Sequence, residues 1–492
     1  MNKYEICKNL NFSDCELAIL RQAVDTAEEK KGKTVANSPE VKRIIGIVEN
    51  FIKNNKLICY GGTAINNILP KQDQFYNTDI EIPDYDFFSW NALTNAKELV
   101  DIYIKEGFAE VEAKSGQHHG TYKVYVNFIP VADISYIPKE LFIALKKEAI
   151  QVAGILYAPP NYLRMSMYLE LSRPDGDVSR WEKVLKRLTL LNRNYPLTAQ
   201  QCSHIDFQRK LSNANTTKAN KVNDANKSEE IYETVKTTLM DQGVVFFGGY
   251  AVSLYSQYMP KHLRKKLEKI PDFDILSEEP LITAQIVKER LQDIGIKGIK
   301  ILKRPAVGEI IAPHYEIRVG NDVVSFIYEP LACHSYNIIK QNGYEIKVAT
   351  IDTMLSFYLA FLYANRPYYD KDRILCMSKY LFEVQEKNRL EQKGLLKRFS
   401  INCMGHQETV EEMRAAKTEK FAVLKNNKKD PEYEEWFLRY RPLDTKDKDN
   451  DKENTRQLTQ NNPNKTNKTN KAKKTNKPRK TKKTKKKRGF FF

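Results

Sequence analysis

The sequence predicts an α+β chain, α/β in looser usage, made of two tandem copies of one domain and a basic C-terminal tail. Three observations predict it. A set of motifs occurs twice in the same order, each set alternates short β-rich runs with helical periodicity, and beyond Leu443 the composition turns to Lys, Asn and Thr.

The first copy reads LICYGGTAINNIL, IPDYDFFS, VADISYIP and APPNYLRMSMYLELSRP; the second reads VVFFGGYAVSLY, IPDFDILS, VVSFIYEP and ATIDTMLSFYLAFLYANRP. Gly61 and Asp84 are 23 positions apart, Gly248 and Asp272 are 24 apart, so the spacing also repeats. In each copy an apolar run meets a Gly-Gly pair and continues with helical periodicity, which predicts strand, turn and helix. The Asp-x-Asp motif falls in a second strand, where period-two alternation puts Asp84 and Asp86 on one face and Tyr85 on the other. Residues 121–129 and 131–136 are rich in β-branched and aromatic residues and read as further strands, the last carrying Asp133. Residues 161–171 and 180–191 read as helices, so each copy is a small mixed sheet followed by helices.

These readings divide the chain into a first domain over 1–207, a polar linker or loop over 208–228, a second domain over 229–443, and a disordered tail over 444–492. The linker is assigned from LSNANTTKANKVNDANKS, which offers nothing to bury against its ordering cost. A net charge of +18 over 492 residues suggests an anionic partner, but from Gln457 onward there are 14 Lys or Arg and no acid, leaving about +4 for the rest. The charge is therefore an appendage, with the composition of a nonspecific phosphate binder, a targeting signal or a packing element. Seven cysteines are scattered singly without a C-x-x-C pair, which points to unpaired thiols and a reducing compartment. No apolar run reaches the ~20 residues of a membrane span, so no membrane partner is expected.

Gly61, Gly62 and Thr63 let a backbone approach phosphate oxygens at the start of a helix, although a Gly pair there is commonly just a tight turn. Asp84 and Asp86 on one strand face suit hard divalent cations, although Asp-x-Asp pairs are also common as solvated acids. Asp133, among Val131, Ala132 and Ile134, is costly to bury unless a cation compensates it. The ordered combination is more specific than its parts. It resembles the nucleotidyltransferase superfamily that includes DNA polymerase β and, more closely, the poly(A) polymerase catalytic subunits of large nucleocytoplasmic DNA viruses of the mimivirus type.

That resemblance implies template-independent addition of AMP from ATP to RNA 3′ ends in viral mRNA polyadenylation. It implies two Mg2+ or Mn2+ ions, with Asp84 and Asp86 bridging both and Asp133 holding the ion that activates the 3′-hydroxyl. ATP and an RNA 3′ end are the implied substrates, a homodimer the implied assembly, and the host cytoplasm, a viral factory or the virion the implied location. Lys123, Tyr162 and Arg164 flank the nucleotide position of the superfamily and are nucleotide-binding candidates, the alternatives being surface charge or core packing. His118 and His119 read as a solvated hairpin tip. Two other readings stay open: another RNA nucleotidyltransferase, such as a terminal uridylyltransferase or oligoadenylate synthetase, and a non-catalytic RNA-binding processivity protein.

The second copy keeps Asp272 and Asp274, which read there as solvated acids. Aligning Tyr328-x-Pro330 with Tyr136-x-Pro138 sets Ser325 opposite Asp133, and Tyr250 replaces Thr63. Lacking the third carboxylate, this domain is expected to be inactive.

Overall fold

The computed structural model describes residues 7–77, 79–200, 202, 221–264 and 271–442. Two helices lead in, α1 (Phe12–Ala36) and α2 (Pro39–Asn55). The Asn11 side chain caps α1 by accepting the Asp14 N–H at 2.9 Å. Helix α2 buries Val41, Ile44, Val48, Phe51 and Ile52, the three- and four-residue spacing of one face. The left-handed Lys56 ends it and turns the chain into β1 (Ile58–Cys59). There follow α3 (Gly61–Ile68), β2 (Tyr85–Ser89), α4 (Ala92–Lys105), β3 (Val111–Ser115), β4 (Thr121–Val126), β5 (Ile129–Tyr136), α5 (Lys139–Glu148), β6 (Ile150–Val152), β7 (Ile155–Tyr157), α6 (Pro160–Leu171) and α7 (Trp181–Asn194). In β4, Tyr122, Val124 and Val126 enter the core while Thr121, Lys123 and Tyr125 face outward, the alternation a one-sided sheet requires.

The second half repeats the plan. It runs through α8 (Lys221–Asp241), β8 (Val245–Phe246), α9 (Gly249–Tyr255), α10 (Lys261–Arg264), β9 (Phe273–Leu276), α11 (Pro280–Asp293), β10 (Ile299–Arg304), β11 (His314–Val319) and β12 (Asp322–Tyr328). After β13 (His334–Gln341) and β14 (Tyr344–Ala349) come α12 (Ile351–Phe361), α13 (Lys371–Lys387), β15 (Cys403–Met404), α14 (Val410–Leu424), α15 (Pro431–Phe437) and β16 (Arg439–Tyr440). One sheet has the order β3-β4-β5-β2-β1-β7-β6 and the other β10-β11-β12-β9-β8-β14-β13, strand for strand the same; β16 extends the first beyond β3 and β15 the second beyond β13. The expected α+β duplication is what is observed. Helices α6 and α12, which hold the same place in the two copies, pack against each other, and every residue of α12 is buried.

Three sequence expectations need correction or a boundary. Residues 203–220 and the basic tail from 443 lie outside the described residues, but the end of the polar stretch, from Lys221, is helix α8, anchored by Ile231, Val235 and Leu239. The second half does not keep to itself as far as residue 443. Strand β16 pairs with the edge strand β3 of the first sheet, Tyr440 Oη donates to Asp101 at 2.9 Å and Arg441 pairs with Glu112 at 2.7 Å. An exposed sheet edge is thereby covered, a tertiary requirement that local composition does not reveal.

The unpaired reading of the cysteines is overturned. Disulfides join Cys7 to Cys15, Cys202 to Cys376 and Cys333 to Cys403, leaving Cys59 free and buried. Two of these bonds span 174 and 70 residues, so folding rather than local spacing creates the pairs, and the cysteine pattern no longer supports a reducing compartment. Among the described residues no helix is long and apolar enough to cross a membrane.

Candidate active site

Strands β2 and β5 run parallel with Asp86 opposite Asp133, and β4 pairs with β5 so that Lys123 lies opposite Asp133 in turn. Cross-strand neighbours share a sheet face, so Asp86, Asp133 and Lys123 form one row. Asp84 sits just before β2 rather than within it. Tyr85 turns to the opposite, buried face and donates to Glu49 at 2.6 Å.

Helix α3 begins at the Gly-Gly pair; the positive φ of Gly61 favours glycine, and a side chain at either position would crowd the neighbouring side chains. Gly61 adopts φ +71, and a Cβ there would come within 2.7 Å of an Asp86 carboxylate oxygen; one on Gly62 would meet Tyr76 Oη at 2.5 Å and Arg187 at 3.0 Å. Thr63 donates its hydroxyl to the Asp84 carbonyl at 2.7 Å, so it fastens α3 to the carboxylate-bearing segment instead of offering that hydroxyl to a ligand.

The charges interact as close carboxylates should. Burial, then the neighbouring Asp84 and Asp133, push the Asp86 carboxyl up to about 7, and burial with Asp133 also raises Asp84. Burial lowers the Lys123 pKa, but its hydrogen bond and ion pair with Asp133 outweigh that and raise it overall. Among the described residues the tightest group of metal-ligating side chains is Asp175, Cys333 and Cys403, the last two disulfide-bonded, and the three aspartates are not gathered as closely. Lys123 pairs with Asp133. The donor set still fits a hard divalent cation: the Asp133 charge helps to raise both Asp84 and Asp86, and an all-oxygen group of this kind is relieved by Mg2+ or Mn2+.

Two recesses meet at this row. One of about 770 Å³ is lined by Gly61, Gly62, Asp86, Tyr162, Arg173, Arg180, Arg187 and Glu309, among others. Another of about 810 Å³ is lined by Gly62, Thr63, Asp84 and Asp86.

Residues 46–177 match the family described as poly(A) polymerase catalytic subunit. Over that segment the chain is similar to this family. A protein of Acanthamoeba polyphaga mimivirus, provisionally named as such a subunit, is 29% identical over 214 residues, covering 43% of this chain and 34% of the relative. A provisionally named counterpart from African swine fever virus is 34% identical over 171 residues, covering 34% of this chain and 36% of its own length. The chain thus spans about a third of the curated relatives it matches. The crystal structure of the Megavirus polyadenylate synthase superposes with a TM-score of 0.68 over 82% of each chain at 19% identity, a likeness of fold.

Within the matched segment, two nucleotide-binding candidates change role. Arg164 is wholly buried; its guanidinium donates to Asn192 Oδ1 at 2.6 Å, to Asn161 Oδ1 and to the Tyr195 carbonyl, so it ties α6 to α7 and does not reach the cleft. Lys123 is engaged by Asp133. Tyr162 does line the cleft, as a wall packed edge-on against Phe88 and Tyr363.

Sequence reasoning missed Arg173, Arg180 and Arg187. They come from just beyond α6, the turn before α7 and α7 itself, and they reach the cleft holding Asp86 only by tertiary packing. Arg187 donates to Tyr76 Oη at 2.7 Å beside the start of α3, and Arg180 pairs with Glu170 at 3.1 Å. The two arginines are seven residues apart, a two-turn helical spacing that hints at one face but is common on surfaces.

The second copy is further from a working site than its sequence suggests. Strand pairing sets Asp274 opposite Phe326, so the buried Phe326, not Ser325, stands where Asp133 does; the motif-based alignment is off by one residue, which exchanges the two sheet faces. Ser325 instead donates to the Phe273 carbonyl at 3.0 Å. The place of Lys123 is taken by Glu316, buried and paired with Arg304 at 2.6 Å and with Arg318. Asp272 and Asp274 are buried, not solvated, and Tyr250 packs on Phe246 and Phe273.

Proposed function

We propose that this chain is a template-independent poly(A) polymerase that transfers AMP from ATP to an RNA 3′ end, releasing pyrophosphate, in the mRNA polyadenylation of a large DNA virus. The observation that carries this reading is the row of Asp86, Asp133 and neighbouring Asp84 beside the Gly61-Gly62 turn and three arginines. The family match over 46–177 and the likeness to a polyadenylate synthase fold support it.

Asp84, Asp86 and Asp133 would hold two Mg2+ or Mn2+ ions, which acidify the attacking hydroxyl and neutralise the leaving pyrophosphate. The chain itself supplies orientation. Free N–H groups at the start of α3, with Arg187 alongside, face an anion such as a triphosphate. Tyr162 and Phe88 wall the cleft against water. The second copy acts as a non-catalytic buttress and helps to shape the RNA groove. A homodimer acting in the host cytoplasm is the assembly and setting most consistent with the family.

The test incubates the protein with short RNA, Mg2+ or Mn2+, and each nucleoside triphosphate separately, beside an Asp84→Ala/Asp86→Ala variant. Long products with ATP alone, absent in the variant, are expected. Products with UTP would replace this reading with a uridylyltransferase, and RNA binding without product would replace it with a processivity protein.

Arg187→Ala is expected to raise the KM for ATP by about ten- to a hundredfold, since a charge-assisted phosphate contact contributes ~1.5–3 kcal/mol, with the KM for RNA little changed. An unchanged ATP KM would remove Arg187 from the triphosphate site.

A further inference from the structure

Next to the catalytic cleft lies a recess of about 410 Å³ that the transfer chemistry leaves unused. Its walls include Trp90, Tyr122, Tyr136, His119, Asn91 and Thr94, and it shares His119, Gly120 and Tyr136 with the cleft. Trp90 follows Ser89, the residue opposite Tyr136, so both aromatics stand at the carboxyl ends of the parallel strands β2 and β5. Loops at that end of a parallel pair are the usual place for ligands.

Neither ring is needed by the core: Trp90 is 41% and Tyr136 54% exposed. Lys139 Nζ lies 4.8 Å from the Trp90 ring centroid. At the neighbouring hairpin, Lys417 Nζ donates to Ser115 Oγ at 3.1 Å and the Gly116 carbonyl at 3.0 Å. His119, read from sequence as a solvated loop tip, has its ring 4.4 Å from that of Trp436 and closes one side. Exposed aromatic faces, a slot for a planar ring and an ammonium beside it are the chemistry of single-stranded nucleic acid binding.

Distance selects the acceptor over the incoming nucleotide. Tyr136 is three residues beyond Asp133, about 10 Å at ~3.3 Å per residue, on the other face by alternation, and the recess joins the cleft around the strand end through the shared His119, Gly120 and Tyr136. An RNA whose 3′ end reaches Asp133 brings its next few bases to the recess, at ~3.4 Å per stacked step. Stacking is also tolerant of base identity, as it must be when the acceptor changes from transcript to adenylate during tailing.

We propose that this recess is an acceptor-strand subsite, in which an RNA base upstream of the 3′ end stacks on Trp90 and Tyr136 while Lys139 meets the adjoining phosphate. The proposal rests on the transferase reading above. Its test measures binding without turnover: fluorescein-labelled single-stranded RNA and, separately, ATP are titrated into the full chain in EDTA, using wild type, Trp90→Leu, Tyr136→Leu and Trp90→Phe.

Each Leu variant is expected to weaken RNA binding by about tenfold, Trp90→Phe by much less, with ATP affinity unchanged. Unchanged RNA affinity in both Leu variants overturns the subsite, as does a loss confined to ATP. Tyr136 is exposed, so its variant should fold even if Trp90→Leu does not. Binding through Trp90 by a protein that transfers nothing would reject the transferase reading alone; an active enzyme whose RNA affinity ignores both Leu variants would reject the subsite alone.

Discussion

Asp86→Asn is expected to abolish nucleotidyl transfer and, at the same time, to make the metal-free protein more stable at pH 8. The folded chain holds the Asp86 carboxyl at about 7 against an ordinary value of 3.8. Between those values the folded state binds more protons than the unfolded one, so stability falls as pH rises through the window, and the full penalty is present above 7. Asn carries no charge to bury and avoids it. A shift of this size converts to at most ~4 kcal/mol at 1.36 kcal/mol per unit, and residual solvent access reduces the expected gain to ~1–2 kcal/mol. In EDTA the variant should melt a few degrees higher than wild type at pH 8 and together with it at pH 4. Transfer should fall by about a thousandfold or more, the loss of several kcal/mol of metal-borne stabilisation. A variant no more stable than wild type at pH 8 would mean that the carboxylate row is not strained without a cation.

This opposition of stability and chemistry explains why the candidate site stands out in the sequence. Asp133 in an apolar strand and Asp84-x-Asp86 after a glycine turn place charge where the local sequence offers no partner, and such breaches mark candidate functional places. Period-two alternation also orients Tyr85 correctly, because a strand with one buried face leaves no choice. The duplicated order of motifs made the architecture legible for a similar reason: it is written in local patterns repeated at nearly constant spacing.

What was not legible depends on long-range packing. Arg173, Arg180 and Arg187 look like any surface arginines until α6 and α7 bring them to the cleft. Arg164 looks like a ligand-binding cation until Asn161, Asn192 and Tyr195 surround it. The substitute for Asp133 in the second copy was misassigned because a Tyr-x-Pro motif at a strand end does not report the register of the pairs before it. Two of the three disulfides, with separations of 174 and 70 residues, and the pairing of Arg439 with Lys114 that returns β16 to the first sheet likewise depend on long-range contacts with no local signal.

The pair of helices joining the halves carries the largest expected stability effect. In the first copy, Asn161, the second residue of α6, holds the buried Arg164. At the same place in α12, Asp352 holds Arg398, accepting from its Nε at 3.0 Å and its terminal nitrogen at 2.8 Å, with Gln385 donating at 3.1 Å. The Asp352 side chain is 1% exposed and that of Arg398 18%, so Asp352→Ala would leave a guanidinium buried without its counter-charge. Breaking such a pair from one side costs ~3–5 kcal/mol, whereas replacing both partners by apolar residues of similar size is often neutral. Asp352→Ala is therefore expected to lower the denaturant midpoint sharply, and Asp352→Leu/Arg398→Met to recover most of the loss. A single variant costing under ~1 kcal/mol would show that Arg398 escapes to solvent instead. Because α12 packs on α6, and α6 carries the Tyr162 wall of the cleft, the single variant should also lose transfer activity at temperatures below its own melting, although it touches neither carboxylate nor substrate.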